Sequence, residues 1–101
     1  MDISLKRSNK PDKKYMVRID NKTIHFGSKG MSDFTKNKDP ERKRLYILRH
    51  KKRENWTKSG IKTVGFWSKH ILWNKPTIRE SVKNTENRFN IKIKNNKNIY
   101  Y

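Results

Sequence analysis

The chain has 101 residues, 27 of them Lys or Arg against nine Asp or Glu, for a net charge of +18, with 31% hydrophobic residues and a mean hydropathy of -1.23. No apolar run approaches the roughly 20 residues of a membrane-spanning helix, and the absence of cysteine excludes disulfides and thiolate metal sites. What remains is one small domain with a thin core, and a one-sided charge whose natural counterpart is a dense polyanion.

Residues 1–14 are polar and basic, contain Pro11 and show no apolar period, so they read as a flexible basic arm. They have no apolar core like that of a secretory signal, and a soluble intracellular protein is expected. The folded α+β domain is expected over 15–93. It opens with Tyr15, Val17 and Ile19 alternating with Met16 and Arg18, then turn residues Asp20-Asn-Lys22, then Ile24 and Phe26 alternating with Thr23 and His25. That pattern predicts a β-hairpin with one buried face. Gly27-Ser-Lys-Gly30 lacks the spacing of a phosphate loop and reads as the hairpin exit.

Asp39 followed by Pro40 predicts a helix start, since the carboxylate caps free N–H groups and proline suits the first helical position. The helix is expected over 40–53, with Leu45 and Leu48 facing inward and Arg42, Tyr46, Arg49 and Arg53 sharing another stripe. Residues 54–76 hold all three tryptophans. Trp67 and Ile71 lie four apart and Phe66 and Trp73 seven apart, the spacing of a short amphipathic helix. Thr77 and Glu80 form a capping box, after which Ile78, Val82, Thr85 and Phe89 mark one helix face. Ile91 and Ile93 supply a last strand, and residues 94–101 form a tail.

The densest functional signal is the run from 36 to 53, where nine of the cations lie. Arginine grips a phosphate with two donors and lysine adds a mobile point charge. The expected phosphate contacts are Arg42, Lys43, Arg44, Arg49, Lys51, Lys52 and Arg53, extended by Lys58, Lys62 and Lys69. Trp56, just past the arginines, is the aromatic expected to touch nucleic acid, while Trp67 and Trp73 are expected in the core. No zinc-finger spacing, heptad zipper or RNA-binding sheet motif is present, so recognition through specific bases is not expected. His25, His50 and His70 have no metal-ligand spacing, and the acids are scattered, so neither a metal, a cofactor nor catalysis is expected.

The blocks His25-Phe-Gly27, Asp33-Phe-Thr35, Lys38-Asp39, Arg49-His-Lys-Lys-Arg-Glu-Asn-Trp56, Gly60-Ile-Lys-Thr63, Gly65-Phe-Trp-Ser68 and Leu72-Trp-Asn-Lys-Pro-Thr77 carry a resemblance. The sequence resembles a family of small basic proteins of unknown function encoded by giant nucleocytoplasmic DNA viruses. A viral origin is what the resemblance implies, with no enzymatic activity to carry over. It agrees with a coding genome rich in A/T, expected from 19 lysines against eight arginines and from 11 asparagines. Small archaeal chromosomal proteins also begin with a hairpin and a helix, but they continue mainly in strands, whereas residues 65–89 here read as helical.

The expectation is therefore an α+β domain, a hairpin packed with two or three short helices, that binds and compacts double-stranded DNA without sequence preference. The expected setting is a virion nucleoid or core and, in the host cell, a viral factory or nucleus. The rival readings are a structural virion protein docking on acidic capsid or inner-membrane surfaces, and an RNA-binding protein.

Overall fold

The computed structural model describes residues 1–95. The fold is α+β. Strands β1 (Ile3–Arg7), β2 (Lys13–Ile19), β3 (Lys22–Ser28) and β4 (Lys94–Asn95) form one sheet in the order β3-β2-β1-β4. Helices α1 (Phe34–Asn37), α2 (Pro40–His50), α3 (Val64–Trp67) and α4 (Ile78–Phe89) follow the hairpin, and a π-helical turn, Ser68–Leu72, continues α3.

The expected hairpin is β2 and β3, with Tyr15 opposite Phe26 and Val17 opposite Ile24. Asp20 opens its two-residue turn at φ 53°, a left-handed value that tight hairpin turns require and that Asp tolerates. The flexible arm expected over 1–14 is not what forms. Residues 3–7 are β1, antiparallel to β2 with Ile3 opposite Ile19 and Leu5 opposite Val17, and parallel to β4 on its other edge. Ile3 and Leu5 complete the apolar face that Val17, Ile19, Ile24 and Phe26 begin, and all six are buried. The last strand also lies later than Ile91 and Ile93, at Lys94–Asn95, and Ile93 enters the core just before it. Of the expected tail, residues 96–101 lie outside the described residues.

The helical segment expected around Gly65–Trp73 is present and lies against the sheet's apolar face. Its Phe66, Trp67, Ile71 and Leu72 share one core with the six strand residues. Polar groups taken into that core find partners: Trp67 Nε1 donates to the Ile61 carbonyl at 2.6 Å, and Thr85 Oγ1 to the Ser81 carbonyl at 2.8 Å. α4 buries the expected face through Ile78, Val82 and Thr85, with Phe89 partly covered. At its start Thr77 Oγ1 accepts from Glu80 N at 3.1 Å, half of the capping box. Glu80's carboxylate turns instead to the Thr77 hydroxyl at 3.0 Å.

Candidate nucleic-acid interface

α2 begins as the sequence predicts, with Asp39 accepting from Glu41 N at 3.0 Å and Pro40 in the first turn. Its orientation differs from the expected one. Leu45 and Leu48 are 44% and 49% exposed, and no residue of α2 is buried. The side turned toward the domain carries Lys43, Tyr46, Ile47 and His50, an i, i+3, i+4, i+7 stripe of half-buried residues. Lys and the aromatic residues are long amphipathic groups, so they cover the domain with their apolar stems and rings while keeping their polar ends satisfied.

Tyr46 is the centre of that contact. Its ring stacks on Trp73 at 4.5 Å and 6° and on His50 at 4.3 Å and 27°, with Trp56 beyond at 6.4 Å. Burial pushes the Tyr46 phenol above its usual pKa, against the hydrogen bond from Ser68 that lowers it. Lys43 adds an anchor, its ammonium donating to the Asn74 carbonyl at 2.5 Å and lying 5.0 Å above the Phe34 ring. Asn74 is itself tied to the His70 carbonyl and to Asn84 of α4. The helix therefore rests on one ring stack and one ammonium.

The expected contact residues divide into two groups. Arg42, Arg44, Arg49, Lys51, Lys52 and Arg53 are exposed along α2 and the turn after it, and Lys58 and Lys62 are exposed further on. Against these six neighbouring cations α2 carries one acid, Glu41, held by Arg44 through two hydrogen bonds. Lys62 lies 3.9 Å from Asp20. Lys43, Trp56 and Lys69 form the other group, half-buried and already engaged. Trp56 Nε1 donates to Glu54 at 3.0 Å, its carbonyl accepts from His70, and Lys69 lies 5.6 Å over its ring. Trp56 is thus a part of the domain's packing as much as of its surface. Tyr46, expected beside the arginines, instead faces the ring stack.

Burial, then Arg88, Lys43 and Lys75, push the Lys69 ammonium down to about 8. Lys43 is lowered too, by burial and by Lys75. Burial is the main cause of both shifts and like-charged neighbours add to it, and an incoming anion offsets the second contribution. Lys75 and Arg88 lie far from the basic run in sequence, and only the fold brings their charges to Lys69.

A groove of about 410 Å³ lies beside this face, between α2 and the chain from Gly27 to Asp33. Gly27 and Ser28, dismissed from the sequence as a phosphate loop, form one wall, while Arg42, Tyr46 and Arg49 form the other. Gly27 takes φ 77°, and a Cβ there would stand 2.8 Å from Leu72 Cδ1, so only glycine lets the strand close over the groove floor. Among the described residues no group of three or more His, Asp and Glu is placed to hold a metal ion.

Residues 3–50 match a family model described as a family of unknown function, DUF5754. The matched stretch runs from β1 to the end of α2 and includes both groove walls, but it ends before the tryptophan-rich segment beneath them. No curated protein and no solved structure matches the chain. No helix among the described residues is long and apolar enough to cross a membrane.

Proposed function

We propose that the chain is an architectural protein that binds double-stranded DNA without regard to sequence and compacts or packages a viral genome. The observation that carries this reading is α2, a helix that gives no residue to the core and holds six exposed cations, with the turn after it, against a single acid. An ordinary solvated helix face mixes signs more evenly, and here one acid stands against six cations. Exposed guanidinium and ammonium groups on a helix and a following turn can track a phosphate backbone, and such contacts carry no sequence information. The viral setting, a virion core or a viral factory, comes from the resemblance of the tryptophan-centred blocks and not from the cations.

The test is affinity for a random-sequence duplex at several salt concentrations. Neutralising about six phosphates gives a log–log slope near -5, about a thousandfold weakening between 50 and 200 mM salt. Lys51→Glu, Lys52→Glu and Arg53→Glu together, all on the exposed turn, should abolish most of that affinity and leave the melting temperature unchanged or higher. Affinity indifferent to salt, or equal for the triple variant, overturns the phosphate track. Stronger competition by single-stranded RNA or by heparin than by duplex would assign the charge to another polyanion.

A further inference from the structure

The groove between α2 and the 27–33 segment has features that a duplex backbone does not need. Its volume of about 410 Å³ falls in the roughly 300 to 1,000 Å³ range of small-molecule sites, far more room than a lone phosphate group requires. Its floor is apolar and aromatic, with Leu72 and Trp73, and Ser68 supplies a hydroxyl. Its rim is cationic. Arg42 and Arg49 are both exposed, seven residues apart on one helix, which puts them about 10 Å apart along the axis.

Among the described residues neither guanidinium has an ion pair. The carboxylate lining the groove, Asp33, is already neutralised. It is 2% exposed, holds Lys14 at 2.6 Å and caps α1 by accepting from Thr35 N at 2.9 Å. The groove thus combines two unpaired planar donors with an apolar wall made by Leu72 and the stacked Tyr46 and Trp73 rings, and a single negative group with an apolar or aromatic body attached would satisfy both.

We propose that this groove is a nucleotide site, which takes one unstacked nucleotide of a strand end or of a displaced single strand. Its phosphate sits between Arg42 and Arg49 and its base lies along the wall that Leu72 and the Tyr46–Trp73 stack present to the groove. Guanidinium matches a phosphate with paired donors, and an aromatic floor accepts any base, so the site discriminates paired from unpaired nucleotides and not one base from another. This rests on the nucleic-acid reading above for the source of the ligand, but not for its binding.

The experiment is calorimetric and NMR titration of the full chain with dAMP, inorganic phosphate and deoxyadenosine, beside the random duplex. dAMP should bind more tightly than either part alone and shift the Trp73 indole resonance. Ser28→Trp plugs the groove from an exposed position without changing charge, and should abolish dAMP binding while duplex affinity stays within about twofold. Arg42→Gln and Arg49→Gln, exposed helix positions, repeat the test without added bulk and should each weaken dAMP by tenfold or more, the size of a lost charged hydrogen bond.

Duplex binding without dAMP binding overturns the nucleotide site and leaves the proposed function standing. dAMP bound equally by wild type and Ser28→Trp also overturns it, because the exposed basic face would then be holding the ligand. Failure of both ligands removes both proposals.

Discussion

Two helical segments of similar length meet at the Tyr46–Trp73 stack, and they are built on opposite principles. The stretch from Val64 to Leu72 buries Phe66, Trp67, His70, Ile71 and Leu72, and places only Lys69 as a charge. α2 buries nothing, carries five charged residues among its eleven, and is held by half-buried rings and the Lys43 anchor. A thin core cannot also serve as a highly charged surface, and here the two tasks are given to separate segments. The core segment sets the stability, while α2 is positioned by contacts that survive changes on its outer face.

The largest effect that sharpens this contrast is expected at the tryptophans. Trp67 is fully buried and bonded to Ile61, so Trp67→Ala should cost about 3 to 5 kcal/mol, most of what a small domain has. Trp56 is half-buried at the edge of the stack, and Trp56→Ala should cost about 1 to 2 kcal/mol, a lost ring contact and a lost hydrogen bond. Leu48→Ala on α2 should stay within about 0.5 kcal/mol, the range of ordinary surface changes. Urea unfolding of the three variants measures all of this. Equal losses at Trp67 and Leu48 would mean that α2 belongs to the core after all.

The two segments were not equally legible from sequence. The hairpin follows from strict alternation, α4 from its Thr77 cap and apolar face, and the start of α2 from Asp39-Pro40, because each is a local signal read within a few residues. β1 is not legible locally, because Ile3 and Leu5 are a short alternation among charges, and what makes them a strand is pairing with residues 15–19 and 94–95, which no local window contains. The inward side of α2 is hard to read because Ile47 is its one strongly apolar residue, beside Lys43, Tyr46 and His50, while Leu45 and Leu48 lie on the exposed side. The winning contacts are ring stacking and an ammonium on a carbonyl, and they depend on Trp73 and Asn74, more than 20 residues away. The exposed cations were legible by composition alone, whereas the groove needed the fold to bring Gly27 and Ser28 to Arg42 and Arg49.

His70 offers the next largest effect, on the core side of the comparison. Its ring packs against Phe66 and Phe89, its Nε2 lies 2.9 Å from the Trp56 carbonyl and so carries the proton, and its buried Nδ1 has no hydrogen-bond partner among the described residues. Burial pushes its pKa down to about 4 from an ordinary 6.5; the Trp56 hydrogen bond opposes this, and Lys69 and Arg88 add to it. Between those values the unfolded chain takes up a proton that the folded chain refuses. Stability is therefore full above pH 6.5 and falls as pH drops, by about 2 kcal/mol between pH 6.5 and 5. His70→Gln keeps an N–H for Trp56 and removes the titration, so its denaturation free energy should be flat over that window. A slope as steep as wild type would place the titrating group elsewhere.

The smallest effect tests the other side, through Lys69. This ammonium sits over Trp56 with Arg88, Lys43 and Lys75 as like-charged neighbours, and its pKa is pushed down to about 8. An unbound chain at pH 8 therefore holds about half a proton there, and a phosphate arriving on the patch supplies the opposite charge that restores the rest. Duplex binding at pH 8 should take up about half a proton per chain, fading toward pH 6 where Lys69 is already charged in both states. Calorimetric enthalpies compared in two buffers of different ionisation enthalpy measure this uptake directly. Lys69→Met should remove the uptake, and it should also raise stability at pH 7, since it takes one cation out of a patch that disfavours charge. Uptake that persists in Lys69→Met would assign the proton to another group. Binding with no uptake in wild type would confine the polyanion to the outer face of α2, away from the half-buried cations that join the two segments.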